Sequence, residues 1–557
     1  MSSRSDDADA HLSGGMTPQV LDEPSLPRAA AWMTAGTLLS RMTGLLRFAA
    51  IAYGIGIAET RLTDSYNLAN SVPNIIYETV LGGVLTSVFV PVFVELLERE
   101  GREKAWEVMS GIVNFSMVVL TAISAIGVAA APLIAKFYAS RLGGSEAALQ
   151  EHVITFLVRL FIPQIIFYGL YFILAGILNS HRRFVAPAFT PALNNIAVIS
   201  VFVAFRAAYG TVGLEGISRG QLFLIGAGTT LGVVLAAVSL LPFLRGVAKY
   251  RPTLDVSHPS VRKLLRLSVF SIGLIVTNQI GFLVLQYLSN AEKGAFSAYL
   301  VAFTFFLLPQ GLFGVSINTA LLPDMSAHAL NERWEAFRER VSTGVRALIF
   351  LVLPTAVGYV LLAPSIVRVL LEHGVMQAHS THLVSVILQI LSLSLVPFTL
   401  FQFFLRGFYA MQDTRTPFIV NSISVIVAIT INVFAFHFYA VQGLAAGNAI
   451  AYTTASIILG TALARVAHGF DLPRMIESAI RIAVASAVMG LVVWGTMRAT
   501  QHLVDAASIY KQAVGLLVPV CAGAAVYLGA AIGLRVEELG FLRSLLGRRG
   551  PAADPAP

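Results

Sequence analysis

Two arginines, Arg41 and Arg47, interrupt an apolar, helix-length run at residues 30–57, within Ser40-Arg41-Met42-Thr43-Gly44-Leu45-Leu46-Arg47. A guanidinium keeps its charge at any physiological pH, and near a bilayer centre it costs at least ~2.5–3.5 kcal/mol, so it faces a wet cavity or a partner. On a helix Ser40, Gly44 and Arg47 recur at i, i+4 and i+7, one stripe of small residues ending in a charge, and Arg41 sits roughly 120° round. Such a face presents planar, bidentate cations to an anion held inside the membrane, and arginine does so without risk of deprotonation. The competing reading has the side chains snorkelling to headgroups or pairing with a carboxylate such as Glu78. Arg47, ten residues before the end of the run, favours the cavity; for Arg41 both readings stay open.

Other polar residues within or beside apolar runs extend this list. Glu78, in mid-span, either holds an arginine while no substrate is bound or forms a structural ion pair. Asp64 caps the second helix or gates the outer mouth, and capping is the simpler reading. Asn179, His181, Arg182 and Arg183 form a turn mirrored by Gln412, Asp413 and Arg415; these pair across the molecule as an inner gate, or serve only as turn and positive-inside residues. Arg159 faces a cavity or pairs with Glu151. His373, His379 and His382 cluster in one loop without carboxylates, which reads as exposed loop histidines ahead of a metal site. The chain has no Gly-Lys dipeptide and no His-Glu-x-x-His, so neither a Walker A loop nor a zinc-protease helix is present, and neither an enzyme nor a cofactor is expected.

The elements that must hold these residues follow from composition. The chain has 557 residues, 56% hydrophobic and 12% charged, against ~25% charged in soluble domains. It reads as a polytopic, all-α membrane protein. The basic excess is spread over loops in a way that points to membrane topology and lipid headgroups, with no nucleic acid as partner. A single cysteine, Cys521, leaves no intramolecular disulfide. The first 28 residues read as a polar tail without a signal-peptide core.

Runs of about 20 apolar residues, each able to cross ~30 Å of hydrocarbon as a hydrogen-bonded helix, number fourteen between residues 31 and 534. Alternating the loops puts 26 of the 38 Lys and Arg on the side of the termini, 9 on the other and 3 within spans, so both termini are expected in the cytoplasm. The connector holding Arg245, Lys249, Arg251, Arg262, Lys263 and Arg266 reads as a cytoplasmic linker with affinity for anionic lipid.

The halves repeat. Ala131-Pro132-Leu133-Ile134 returns as Ala363-Pro364-Ser365-Ile366, Pro163 as Pro397, Gly176 as Gly407, Pro187 as Pro417, and Pro73 and Pro91 answer Pro309 and Pro323. An even number of helices between equivalents relates the repeats by an axis along the membrane normal, the plan of a transporter that rocks two lobes about a central site. An old duplication kept only for packing is the other reading. The expected organisation is a tail (1–29), an N-lobe of spans 1–6 (30–245), a basic linker (246–264), a C-lobe of spans 7–12 (265–466), spans 13–14 (467–535) without counterpart, and a second tail (536–557). The extra pair forms a lipid-facing groove or a packing appendage. The prolines supply bends.

With these residues in view, the chain resembles the MurJ (MviN) family of lipid-linked peptidoglycan precursor flippases, within the superfamily that also holds multidrug exporters. The resemblance rests on Ser40-Arg41-x-x-Gly44-x-x-Arg47, Thr63-Asp64 before Asn70-x-x-Pro73-Asn74, Gly176-Ile177-Leu178-Asn179 with Arg183-Phe184, and Gly407-Phe408-Tyr409 with Gln412-Asp413-x-x-Thr416-Pro417. Phe48, Tyr77-Glu78 and Thr304 depart from the commoner pattern and, with Leu81-Gly82-Gly83, resemble an actinobacterial-type branch. The resemblance implies export of lipid II, an undecaprenyl-diphosphate disaccharide-pentapeptide, across the bacterial cytoplasmic membrane by alternating access, with cell-wall synthesis proteins as further partners. Position by position it carries over Arg41, Arg47 and Asp64; together with the reading of the residues themselves, the expected substrate contacts are Ser40, Arg41, Gly44, Arg47, Asp64, Tyr77 and Glu78, and the expected gate is Asn179, Arg183, Asp413 and Arg415. The alternatives are a polysaccharide or drug exporter of the same superfamily and, outside that class, a non-transporting scaffold of cell-wall assembly.

Overall fold

A computed structural model describes residues 26–79, 101–181, 183–245, 253, 259–504 and 508–540, and every regular element among them is helical. The second span beyond Thr79 (with Leu81-Gly82-Gly83 and Pro91), Arg182, nearly all of the 246–258 stretch and the two ends of the chain lie outside the described residues.

One bundle comprises α1 (Leu26–Ile55), α2 (Arg61–Tyr77), α3 (Gly101–Ala139), α4 (Gly144–Phe161), α5 (Gln164–Ser180), α6 (Val185–Tyr209) and α7 (Arg219–Val238). The second comprises α8 (Pro259–Ser289), α9 (Ala295–Pro309), α10 (Val315–Leu330), α11 (Trp334–Leu371), α12 (Ala378–Ser392), α13 (Leu395–Ala410) and α14 (Arg415–Val466). A further pair, α15 (Leu472–Val504) and α16 (Ile509–Gly533), packs on α11.

The spans follow from these helices. Eleven described segments are long and apolar enough to cross a bilayer, and α12 with α13, bent by 52°, make a twelfth. Helix α14 has 52 residues, roughly 80 Å at full length, and so cannot cross once. Its backbone leaves helical geometry at Ala440 and folds back: a β-carbon on Gly443 would lie 2.3 Å from the Ala435 carbonyl oxygen, and one on Gly447 2.1 Å from Asn432 Oδ1. It is therefore two antiparallel spans. With α2 in the place of the second span, the architecture is consistent with the fourteen expected.

The repeat is visible in the irregularities. The first lobe breaks at Ile162–Pro163 between α4 and α5, and the second breaks about 230 residues later at Leu393–Ser394, where the ring of Pro397 clashes with the carbonyl four residues back. A π-helical turn at Glu78–Thr79 ends the described part of the second span; its counterpart is the π turn Gln310–Gly314 between α9 and α10. Such turns leave backbone groups off the regular ladder and recur at functional sites.

The extra hairpin is fixed to the second lobe by an apolar cluster that includes Phe350, Ile482 and Tyr527, with the Tyr527 hydroxyl donating to the Phe350 carbonyl at 2.5 Å. Beside it, buried Arg346 of α11 donates to Glu538 Oε1 at 2.9 Å and Glu537 Oε2 at 3.0 Å. Hydrogen bonds from Arg474 and Arg346 hold the Glu537 carboxyl below its ordinary range. Removing one partner of a buried pair strands the other charge, whereas replacing both with apolar groups is often neutral. Arg346→Leu is therefore expected to destabilise the protein by ~3–5 kcal/mol, and adding Glu538→Leu should restore most of it, as read by denaturation in detergent. Equal losses in the single and double variants would contradict this.

Candidate functional site

The two lobes are sewn together at one end, where α1 stops and α9 starts. Thr60 caps α2 through its own side chain, accepting from Leu62 N at 3.2 Å. Asp64, one turn on and fully buried, is thereby free to cap a helix of the other lobe: its carboxylate accepts from Gly294 N (2.6 Å), Ser297 N (3.0 Å) and Ser297 Oγ (2.7 Å) at the start of α9. The unsatisfied N–H groups and the dipole of that helix end both favour an anion there. Gly294 holds a left-handed φ of 77°, and a β-carbon there would lie 2.2 Å from that of Ala58, so the approach requires glycine. Expected to cap its own helix, Asp64 caps one in the opposite lobe.

Its neighbours extend the seam. Arg61 Nε donates to Glu146 Oε1 at 2.5 Å, and its Nη1 to the Asn290 carbonyl at 2.9 Å. Glu59 Oε1 accepts from Gln377 N (2.8 Å) and Ser380 Oγ (2.6 Å). Arg141, past the end of α3, has its guanidinium carbon 5.1 Å from the Tyr287 ring centroid and 5.9 Å from that of Phe436, both in the second lobe.

Beyond this seal lies a cavity of about 610 Å³, bounded by the end of α2 and by α8, α9, α13 and both halves of α14. Glu78 reaches it from the first lobe and accepts from Gln279 Nε2 at 2.5 Å; its partner is this amide of the opposite lobe, and among the described residues no arginine bridges it.

Neither Arg41 nor Arg47 lines that cavity, and both are half-buried. Arg41, half-buried, crosses from α1 to the π turn of the second lobe. A β-carbon on Gly311 would lie 2.3 Å from its Nη1 and 2.4 Å from its guanidinium carbon. Arg47, also half-buried, turns into the first lobe, where its charge acts on the Tyr66 and Tyr168 hydroxyls. Its Nε is buried with no hydrogen-bond partner among the described residues. Tyr77 packs at a tilt against Tyr168 and Phe172, with ring centroids 5.2 Å and 6.5 Å away. The Ser40 carbonyl accepts from Asn195 Nδ2 at 3.1 Å, and a β-carbon on Gly44 would meet the same amide at 3.7 Å, so this part of the small-residue stripe packs α1 on α6.

Because the atom facing Gly311 is the far end of a flexible side chain, enlarging that glycine displaces Arg41 before it disturbs the backbone. Arg41→Ala is expected to lower transport, and Gly311→Val to lower it to the same extent while folding stability stays within about 1 kcal/mol of wild type. Wild-type transport in Gly311→Val would show that the position of Arg41 does not matter.

The residues expected at the other end bond within their own lobes. Arg183 Nη1 donates to the Phe243 carbonyl at 2.7 Å, and Asp413 Oδ1 accepts from Arg415 N (2.9 Å) and Thr416 N (3.0 Å) to cap α14. Asn179 is half-buried in the last turn of α5, and Arg415 is exposed. Arg159 is exposed and forms no ion pair with Glu151. No group of three metal-binding side chains occurs among the described residues, the loop histidines included. An apolar groove of about 680 Å³ runs between α11, the bend at Leu393 and α15, lined by Val357, Leu361, Leu491 and Trp494 among others. Sequence reasoning missed Glu59, Arg61 and Arg141, which as single loop charges carry no sign of a partner hundreds of residues away.

Comparison with known proteins places this geometry. A family model described as lipid II flippase MurJ matches residues 51–514. A probable lipid II flippase MurJ of Rhizobium meliloti is 28% identical over 535 residues, 95% of this chain and 98% of the relative. The lipid II flippase MurJ of Burkholderia cenocepacia is 27% identical over 406 residues, 71% of this chain and 75% of the relative. Among solved structures, a lipid II flippase MurJ in an inward closed conformation superposes with a TM-score of 0.72 at 23% identity, over 93% of this chain and all of that one. An inward-facing multidrug MATE transporter of the MOP superfamily superposes at 0.59 with 13% identity, over 82% of this chain and 98% of that one.

Proposed function

From the premise that this chain belongs to the lipid II flippase MurJ family, we propose that it carries lipid II from the inner to the outer leaflet of the bacterial cytoplasmic membrane. The observation that carries the reading is the asymmetry between the ends. Two equivalent lobes are bolted together through buried Asp64 and the start of α9, and a cavity opens beyond the bolt. That is half of an alternating-access cycle, and the other half needs only release of this seam.

The positive-inside bias supports placing both termini in the cytoplasm and the sealed seam on the outer face. The lobes correspond to residues 30–245 and 265–466, joined by the basic linker, with 467–535 as an added pair. Arg41 and Arg47 take the diphosphate, a reading supported by the half-buried position of both and by the buried Nε of Arg47 that has no partner among the described residues. Glu78, bonded to Gln279 across the cleft, releases that amide as the lobes part. Arg183 and Asp413 with Arg415 and Asn179 form the opposite gate after rotation of the lobes. The apolar groove along α11 and α15 accommodates the polyprenyl chain while the head group crosses.

Leaflet-specific labelling of lipid II in cells depleted of their own flippase and rescued by this gene tests the proposal. Restored appearance of lipid II in the outer leaflet is the expected result. Rescue of growth without that appearance would favour the scaffold reading.

A further inference from the structure

The wall that the second lobe gives to the cavity has a chemistry that neither arginine explains. It carries five carboxamides, Asn278, Gln279, Gln402, Asn421 and Asn448, of which Gln279 is bonded to Glu78, with the aromatic side chains of Tyr299 and Tyr452 among them. Asn421 Nδ2 donates to Asn278 Oδ1 at 3.1 Å, and Asn448 Nδ2 donates to the Tyr299 hydroxyl at 2.6 Å. These bonds fix the amides in place and use only part of what they offer. An amide carries two donor hydrogens and an acceptor oxygen, so Asn278 keeps both donors and Asn421 and Asn448 keep their oxygens. Gln402 makes no side-chain hydrogen bond among the described residues and keeps both ends. Among the described lining residues the only charged side chain is Glu78, on the opposite side.

Each candidate occupant makes a different demand on such a wall. A diphosphate needs cations, which this wall lacks. A hydrocarbon chain would leave the unspent donors and acceptors of these amides unmet, a costly burial. A lipophilic cation would have one carboxylate at the far edge. A neutral molecule dense in hydroxyl and acetamido groups fits, because each unspent donor and acceptor then finds its complement and sugar C–H faces lie on aromatic rings. The volume of about 610 Å³ falls within the ~300–1,000 Å³ of small-molecule sites.

We propose that this carboxamide and aromatic wall is the saccharide subsite, binding the N-acetylated sugars of the lipid-linked head group while the first-lobe arginines hold its diphosphate. The inference rests on the flippase reading and adds to it a division of labour between the lobes. The test compares two probes on purified protein, lipid II and undecaprenyl diphosphate without sugar, by ligand-induced shift in thermal midpoint and by transport in proteoliposomes. Gln402→Leu should weaken lipid II binding roughly five- to tenfold and leave undecaprenyl diphosphate unchanged. Asn278→Ser, which keeps a small polar group beside Asn421, should show the same selective loss and serves if the leucine variant folds poorly. Equal losses for both probes, or lipid II affinity within twofold of wild type in both variants, would overturn the subsite while leaving flipping intact. A wild-type protein that binds neither probe would overturn the flippase reading and the subsite with it.

Discussion

Replacing Arg47 with methionine is expected to abolish rescue of flippase-depleted cells and, at the same time, to raise the thermal midpoint of the purified protein. Both outcomes come from one atom. The Nε of Arg47 is buried without an acceptor, and a buried unsatisfied donor costs ~1–3 kcal/mol, more when charged. A methionine fills similar volume and carries no such group, so folding gains. The substrate loses more than the fold gains. A charge-assisted bond to phosphate is worth ~1.5–3 kcal/mol, and truncating one member of a desolvated charge pair costs ~2–5 kcal/mol. Rate loss of at least tenfold with a higher midpoint is the signature of a site that stores instability for use in binding. Arg47→Lys should fall between the two, since an ammonium keeps the charge and loses the planar fork. A methionine variant that transports normally would remove Arg47 from the substrate path, and a lower midpoint would mean that the donor has a partner in the membrane-embedded protein.

How much of this was legible in the sequence depends on which contacts are local. The spans, the repeat and the helix-breaking prolines were readable because each follows from residues close in the chain, through hydropathy and the missing N–H of proline. The placement of Ser40 and Gly44 was not: periodicity put them on one stripe with Arg47, yet which neighbour that stripe meets is a tertiary fact, and it meets α6. Glu78 drew the expectation of an arginine partner because opposite-charge pairing is the simplest guess; its partner proved to be the amide of Gln279. The seam shows what signal was overlooked. Arg61 with Asn290, Asp64 with Gly294 and Asn67 with Ser297 are each 229 or 230 residues apart, and the repeat offset is close to the same number. Residues at equivalent positions meet where the pseudo-symmetry axis passes between the lobes. Once a repeat is found, its own offset therefore nominates the residues on the axis, and Asp64 could have been paired with the start of α9 before any coordinates.

Asp64 carries the second large prediction, because that seam is the part of the molecule that must open. Its two oxygens satisfy three donors at the start of α9, two of them backbone N–H groups with no other partner within their helix. Asp64→Ala strands those donors only in the sealed state, since an opened seam exposes them to water. The variant therefore shifts the conformational equilibrium as well as total stability. At ~1–3 kcal/mol per stranded buried group the shift amounts to some 3–5 kcal/mol, enough to move a resting population from almost wholly sealed to largely open. Asp64→Asn should do nearly as much, because an amide must point its N–H at one of the same donors. The readout is a cysteine at Leu300, one turn inside the seam, in a background where the exposed Cys521 has been changed to serine. A membrane-impermeant thiol reagent added outside intact cells should label Leu300→Cys slowly in the parent and many-fold faster with Asp64→Ala, with transport lost because the cycle stalls open. Unchanged labelling in a correctly inserted protein would mean that Glu59, Arg61 and Arg141 hold the seam closed on their own, and that Asp64 is a structural cap with no part in gating.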